Sequence, residues 1–178
     1  MRAALRHPAA WWALLVLGCL PWAWLLAQTL LDQLGPNPAE ALIRATGDWT
    51  LRSLCVVLAV TPLRTWLGWP ELLRFRRLLG LLVFGYASLH LLCYAWFDMG
   101  FDLADTLQDV LKRPFIWLGF SAFVILLALA ATSFNRAVRW LGGRRWQLLH
   151  RGVYGVAVLA VLHFWWMRAG KQDFAEVL

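Results

Sequence analysis

The chain has 178 residues, of which 61% are hydrophobic and 15% are charged, and its formal net charge is +7. A soluble domain has about 45–50% apolar and about 25% charged residues. Three runs of at least 20 residues, which follow Arg6, Arg77 and Arg113, contain no charge, and each can cross a hydrocarbon core of roughly 30 Å as a helix. These features exclude a soluble enzyme, a disordered chain and a nucleic-acid-binding module, and they predict a polytopic membrane protein.

The apolar pattern predicts an all-α bundle of five transmembrane helices in a single domain that covers residues 1–178. The first span is expected to be an uncleaved helix over residues 9–31. The next spans are expected at residues 48–69, 77–97, 114–134 and 147–167. Proline and glycine residues separate them, most clearly the Gly-Pro-Asn-Pro segment that begins at Gly35. The second span is the weakest, because Arg52 lies in its first turns and must extend its long side chain to the interface.

Charges in the predicted loops alternate in sign along the chain. The N-terminal segment and the loops at residues 64–77 and 135–151 are basic, whereas the loops at residues 32–48 and 98–113 are acidic. Because basic loops remain on the cytoplasmic side of a membrane, the N-terminus is predicted to be cytoplasmic. The positive net charge therefore reflects membrane topology and requires no nucleic-acid partner.

Three histidines interrupt the apolar spans: His90 in the third span, and His150 and His163 in the fifth. Ionisable residues inside a membrane are costly and mark functional sites. Counted from the outer ends of their spans, His90 and His163 differ in depth by about 5 Å. Two imidazoles at one depth on facing helices predict a bis-histidine clamp for a haem iron. Zinc fits less well, because it takes three or four ligands and no acidic residue lies nearby.

His150 lies closer to the cytoplasmic side, about 20 Å from His163 along the same helix, so the two cannot share one metal ion. On an ideal helix their side chains also point about 140° apart. If both face the interior of the bundle, the helix must be rewound near Gly152 and Gly155, for example by a π-bulge. Otherwise the two histidines do different work.

Arginines line the predicted cytoplasmic edge of the third and fifth spans, and Arg76, Arg77 and Arg151 are predicted cofactor-binding residues. Their guanidinium groups could pair with haem propionates or with the head group of a flavin or a quinone. The bias of cytoplasmic loops towards basic residues explains the same arginines without a cofactor. The sequence leaves both interpretations open.

Around these histidines the sequence resembles the MsrQ (YedZ) family, the haem-binding membrane subunits of a bacterial periplasmic methionine-sulfoxide reductase system. The similarity extends in order over nearly the whole chain. It rests on Thr61-Pro62-Leu63, Arg76 to Leu81, Leu89-His90-Leu91, Lys112-Arg113-Pro114, Ala131-Thr132-Ser133, Trp146 to Tyr154, and His163. Each segment alone is weakly specific, whereas their combination is quite specific.

The resemblance implies a ferric-reductase-like transmembrane domain that binds b-type haem with ligands on the third and fifth spans. It therefore supports His90 and His163 as the ligands of one haem. The resemblance would place the partner ligand of a second haem on the third span, one haem-to-haem distance before His90. The residue at that position is Arg76, so a second haem at His150 would need some other axial ligand. FMN is also attributed to the family, although the chain shows no nucleotide-binding motif.

The resemblance also implies a function and partners. It implies a subunit of the bacterial inner membrane that passes electrons from the quinone pool or a cytosolic flavin reductase to the periplasmic molybdenum-containing reductase MsrP. Family members usually have a sixth span, so the chain is expected to be truncated after Leu178. The alternatives are a ferric or cupric reductase and, less favoured, a small transporter or assembly factor. A transporter would be expected to carry acidic residues inside its spans, and after Asp48 they occur only in loops and the C-terminal tail.

Overall fold

The computed structural model describes residues 2–170, and these are almost wholly helical, without a strand. The helices are α1 (Arg2–Arg6), α2 (Pro8–Leu30), α3 (Pro38–Leu67), α4 (Arg76–Cys93), α5 (Leu103–Lys112), α6 (Pro114–Ala131), α7 (Asn135–Leu141), α8 (Gly143–His150) and α9 (Gly152–Gly170). A 3₁₀ segment, Pro70–Phe75, precedes α4, and a π-helical segment, Tyr94–Asp98, follows it. The predicted all-α fold is therefore confirmed. The sixth span expected after Leu178 lies outside the described residues.

Four helical stretches among the described residues are long and apolar enough to cross a membrane. They are Pro8–Leu30, Pro70–Asp98, Pro114–Ala131 and Gly143–Ala169, and they coincide with the first, third, fourth and fifth predicted spans. The second predicted span, 48–69, coincides with α3 as far as Leu67, and this helix is long enough but less apolar. Its charged residues are Glu40, Arg44, Asp48, Arg52 and Arg64. That this helix crosses the membrane stays a prediction.

The predicted loop at residues 32–48 is wrong over its second half, because α3 already begins at Pro38. Asn37 caps this helix: its side-chain oxygen accepts the backbone N–H of Glu40 at 3.3 Å, and its amide donates to the Glu40 carboxylate at 3.0 Å. Proline suits the first helical position, where no N–H is needed. Arg44 then pairs with Glu40 one turn earlier at 2.9 Å. The charges that suggested a loop therefore stabilise the first turns of a helix.

The fifth predicted span, 147–167, is interrupted at Arg151. The backbone N–H of Arg151 lies 3.1 Å from the carbonyl oxygen of Gln147 and 3.2 Å from that of Leu148. This sharing tightens the turn between α8 and α9, so the expected change of winding occurs next to Gly152, but not as a π-bulge. The π-helical turns lie instead at the end of the third span.

The chain divides into two compact units, of which the first ends at Phe97. In it, α3 packs along α4, and α2 contacts both helices. Tyr86 is 2% exposed, and its hydroxyl donates to the carbonyl oxygen of Gly18 on α2 at 2.8 Å. Its ring meets Trp22 edge-on at 5.1 Å and stacks on Trp49 of α3 at 6.3 Å. This aromatic cluster fixes the three helices to one another.

The basic N-terminus is held against the 3₁₀ segment of the same unit. The guanidinium of Arg74 donates to the carbonyl oxygens of Leu5 and Arg6, at 3.0 and 2.7 Å, and thereby satisfies carbonyls at the end of α1. Arg6 pairs with Glu71 at 2.6 Å. The N-terminal segment and the basic loop at 64–77 are therefore joined, which agrees with their predicted location on one side of the membrane.

The second unit begins at Asp98, and its main contact is the packing of α6 along α9. α5 packs on α6, and its N-cap is Asp102, whose side chain accepts the backbone N–H of Asp105 at 2.9 Å. Near the end of α9, Arg168 is 2% exposed, with its guanidinium carbon 5.2 Å from the centre of the Phe164 ring. The α6–α9 pair therefore forms the frame of this unit.

Replacing Tyr86 by phenylalanine removes the hydrogen bond to Gly18 and retains the ring. We expect the free energy of unfolding to fall by about 1 kcal/mol, seen as a lower midpoint of thermal unfolding in detergent. Tyr154→Phe is the matched control, because Tyr154 is 57% exposed. An equal loss of stability in both variants would contradict the role given to the Tyr86 hydroxyl.

Candidate functional site

His90 lies near the C-terminal end of α4, where its ring faces the first part of α3. Its Nδ1 atom is 2.9 Å from the carbonyl oxygen of Ile43. A carbonyl oxygen can only accept a hydrogen bond, so Nδ1 carries the proton and donates. The other ring nitrogen, Nε2, then carries the lone pair that can bind a metal ion.

Two further residues of α3 shape this environment. Thr46 is 3% exposed, and its hydroxyl donates to the carbonyl oxygen of Leu42 at 2.7 Å while its oxygen lies 3.4 Å from Nδ1 of His90. Gly47 lies directly beside the ring, because a Cβ atom built on it would be 3.1 Å from Cε1 of His90. The imidazole of His90 therefore packs directly against the backbone of α3 at Gly47.

His163 of α9 has the same arrangement in the second unit. Its Nδ1 atom is 2.6 Å from the carbonyl oxygen of Phe115, the second residue of α6. The Phe115 ring stacks against the imidazole with centroids 6.3 Å apart. A Cβ atom on Gly119 would be 3.0 Å from Cε1 of His163. His163 is therefore also protonated at Nδ1 and carries its lone pair on Nε2.

His150, the last residue of α8, has the opposite arrangement. Its Nε2 atom is 3.2 Å from the hydroxyl oxygen of Thr132, and its ring stacks on Trp146 with centroids 4.0 Å apart. The single proton of the Thr132 hydroxyl can reach the carbonyl oxygens of Ala128 and Leu129, at 2.7 and 3.2 Å, as well as Nε2 of His150. The Trp146 indole donates to the carbonyl oxygen of Thr132 at 2.8 Å. His150 therefore meets its partner through Nε2, whereas His90 and His163 meet theirs through Nδ1.

The two histidines of the second unit lie in separate sites. His163 contacts Phe115 at the start of α6, whereas His150 contacts Thr132, the C-cap of α6. These positions are about 26 Å apart along the helix. Within residues 2–170, no three His, Cys, Asp or Glu side chains come together in a way that could hold a metal ion.

The three predicted arginines lie at a distance from His90 and His163. Arg76 and Arg77 are exposed and begin α4, about 20 Å along the helix from His90. Arg151 is exposed and separates α8 from α9, directly after His150. Their assignment as cofactor-binding residues stays a prediction.

Sequence reasoning missed the residues that support the histidine rings. Ile43 and Phe115 act through backbone carbonyls, which every residue has, so no sequence signal marks them. Gly47 and Thr46 fell within the predicted loop at 32–48. A search for glycines in the neighbouring spans could have found Gly119, and one that included the loop at 32–48 could have found Gly47, but only with the helix register known.

Comparison with known proteins places the chain in a family. The model of the "Ferric reductase like transmembrane component" family matches residues 46–161. A protein of Polaromonas naphthalenivorans is 61% identical over 173 residues, which cover 97% of the chain and 79% of that protein. It is named protein-methionine-sulfoxide reductase heme-binding subunit MsrQ. The chain belongs to the MsrQ family. The family resemblance drawn from the sequence is thus confirmed.

More distant MsrQ proteins show the same relationship. The protein of Herminiimonas arsenicoxydans is 55% identical over 163 residues, covering 92% of the chain and 75% of that protein. The protein of Caulobacter vibrioides is 45% identical over 155 residues, covering 86% of the chain and 74% of that protein. No solved structure matches the chain.

The assignment of ring protons can be tested with ¹⁵N-labelled histidine in the haem-free full chain. We expect His90 and His163 to be protonated at Nδ1. Thr132→Val removes the hydrogen-bond partner of His150, and it should alter the ¹⁵N signals of His150 while those of the other two histidines stay unchanged. Nε2 protonation of His90 or His163 in the unaltered chain would contradict the assignment.

Proposed function

We propose that the chain is a membrane electron-transfer subunit with His90 and His163 as the two axial ligands of one b-type haem. The proposal rests on the hydrogen-bonding pattern that the rings of His90 and His163 share. In both, Nδ1 donates to a backbone carbonyl and the lone pair is on Nε2. The MsrQ relatives are named heme-binding subunits, which supports haem as the group bound.

The residues present fit this group. Metal-binding histidines in proteins usually donate their second N–H to a carbonyl or carboxylate, which fixes the ring and raises the basicity of the ligand nitrogen. His90 and His163 already make that bond. Haem held by these two histidines would supply one-electron transfer.

The number of haems per chain depends on whether His150 also binds haem iron. Its Nε2 atom is hydrogen-bonded to the Thr132 hydroxyl at 3.2 Å, so iron binding through Nε2 would require this hydrogen bond to break. Haem quantification per chain in His150→Ala separates the two versions. A fall to half assigns a second haem to His150, and an unchanged content leaves one haem at His90 and His163.

We further propose that electrons enter on the cytoplasmic side, from the quinone pool or a cytosolic flavin reductase, and leave on the periplasmic side towards MsrP. Exposed Arg76, Arg77 and Arg151 would bind the head group of a quinone or the phosphate of FMN. The acidic segment around α5 would face the periplasmic partner. In that segment Asp109 already pairs with Arg113 at 2.8 Å, and the remaining carboxylates are those of Asp98, Asp102 and Asp105.

A ferric or cupric reductase is the second candidate, because the matching family model describes ferric-reductase-like components. The two functions differ in their electron acceptor. Reduction of a soluble ferric or cupric chelate, measured with and without added MsrP, distinguishes them. Chelate reduction at equal rates in both conditions, without methionine-sulfoxide reduction, would favour the metal reductase.

Alanine at either proposed ligand should abolish low-spin haem. We expect the dithionite-reduced minus oxidised spectrum of the purified chain to show paired α and β bands, and we expect His90→Ala and His163→Ala to lose them. His7→Ala is the control, because His7 caps α2 through Nδ1 and is exposed. Intact bands in both ligand variants would overturn the assignment.

The proposed orientation in the inner membrane can be tested with reporter fusions. Alkaline phosphatase is active only outside the cytoplasm, so we expect activity when it is fused after Gln108 and none when it is fused after Gly142. Green fluorescent protein fused at the same positions should give the opposite pattern. Phosphatase activity at Gly142 would place the basic segments outside and contradict a cytoplasmic N-terminus.

A further inference from the structure

Each of the two haem-ligand candidates reaches a helix carbonyl four residues before a glycine. In an α-helix the carbonyl of residue i accepts the N–H of residue i+4, and its second lone pair faces the side of the helix. Side chains tilt towards the helix N-terminus, so the side chain of residue i+4 covers this lone pair. A flat ring such as an imidazole can approach the carbonyl edge-on with least obstruction where residue i+4 lacks a side chain.

In the first unit this arrangement joins Ile43, Gly47 and His90. A Cβ atom on Gly47 would lie 3.1 Å from Cε1 and 3.2 Å from Nδ1 of His90. Both distances are shorter than ordinary van der Waals contact, so any side chain would push the ring away from the Ile43 carbonyl. The hydrogen bond of 2.9 Å therefore depends on glycine at this position.

In the second unit the arrangement joins Phe115, Gly119 and His163 with the same spacing. A Cβ atom on Gly119 would lie 3.0 Å from both Cε1 and Nδ1 of His163 and 3.2 Å from Cγ. The added atom would therefore meet the bonding edge of the imidazole. The repetition of the spacing in a second helix pair argues against coincidence.

We propose that Gly47 and Gly119 are positioning residues for the haem ligands: they leave a helix carbonyl open so that each imidazole is held by Nδ1 and presents Nε2 to the iron. This inference rests on the proposed ligand role of His90 and His163. It differs from ordinary close packing of helices. At Gly85 a Cβ atom would meet the Trp22 ring at 2.9 Å, and this glycine has no contact of that kind with a histidine.

A substitution at either glycine would affect the iron by displacing the histidine ring that binds it. The hydrogen bond at Nδ1 sets the basicity of Nε2 and the rotation of the ring, so a displaced ring changes the ligand field. Alanine forces a small displacement, which should keep haem bound but alter its spectrum. Valine has two further methyl groups and should weaken haem affinity by roughly tenfold or more, the usual size of effects at residues that support a metal ligand.

The test uses the haem-loaded full chain with alanine and valine at Gly47 and at Gly119. The measurements are the g values of the ferric haem in electron paramagnetic resonance, the midpoint potential and the haem content per chain. Controls are Gly85→Ala and Gly152→Ala, whose Cβ atoms would meet Trp22 and Ile125. We expect altered g values and a shifted potential in both alanine variants, and wild-type values in both controls even where thermal stability falls.

Unchanged g values and potential in Gly47→Ala and Gly119→Ala, together with loss of haem in His90→Ala and His163→Ala, would overturn this inference and leave the proposed function intact. Haem bands that persist in both histidine variants would instead overturn the ligand assignment. The ¹⁵N spectra of the haem-free chain then test the glycines separately. Unaltered Nδ1–H signals of both histidines in the valine variants would show that neither glycine holds its ring.

Discussion

The structure depends on a hydrogen bond between an imidazole N–H and a backbone carbonyl that already belongs to a helix. In hydrocarbon an imidazole without a partner is costly, and water is not available to supply one. The second lone pair of a helix carbonyl satisfies the ring without a second polar side chain in the membrane. The bond also contributes to how α3 packs along α4 and how α6 packs along α9, together with contacts such as those of Tyr86. The same hydrogen bond therefore orients the imidazole and helps to pack the two helices.

His90 and His163 are protonated at the same ring nitrogen, Nδ1, but differ in their surroundings. His90 has a buried hydroxyl, that of Thr46, within 3.4 Å of Nδ1. The corresponding position beside His163 is Leu118, which is three residues after Phe115 as Thr46 is three residues after Ile43. His163 instead has an aromatic ring stacked on it. An iron held by both would therefore have one ligand in a polar setting and one in an apolar setting, and each can be tuned separately.

The sequence predicted the helices well, because helices depend on patterns of residue type, and the same patterns drew attention to the histidines. Charge-free runs identify the spans, and an ionisable residue inside such a run is conspicuous. The error at residues 38–48 has a physical reason. Counting charges cannot separate a polar loop from the polar first turns of a helix, and the decisive interactions, the Asn37 cap and the Glu40–Arg44 pair, are local geometry.

The hydrogen-bond acceptors of the histidine rings could not be predicted from the sequence, for a related reason. The acceptors are backbone atoms, so neither Ile43 nor Phe115 differs in type from its apolar neighbours. Glycine is the one residue type that marks the arrangement, and several glycines in the spans pack against other side chains, as Gly85 does against Trp22. Selecting the correct glycines requires the register between two helices, which only the packed structure provides.

The hydrogen-bond partners of His150 distinguish it from His90 and His163, which residue type alone does not. It lies beyond the end of α6, where Thr132 offers a hydroxyl instead of a carbonyl on a bare helix face. Its Nε2 atom meets the Thr132 hydroxyl at 3.2 Å. The group that meets a histidine therefore decides which ring nitrogen is engaged in a hydrogen bond. In this chain, the carbonyls of Ile43 and Phe115 engage Nδ1 of His90 and His163, and the Thr132 hydroxyl engages Nε2 of His150.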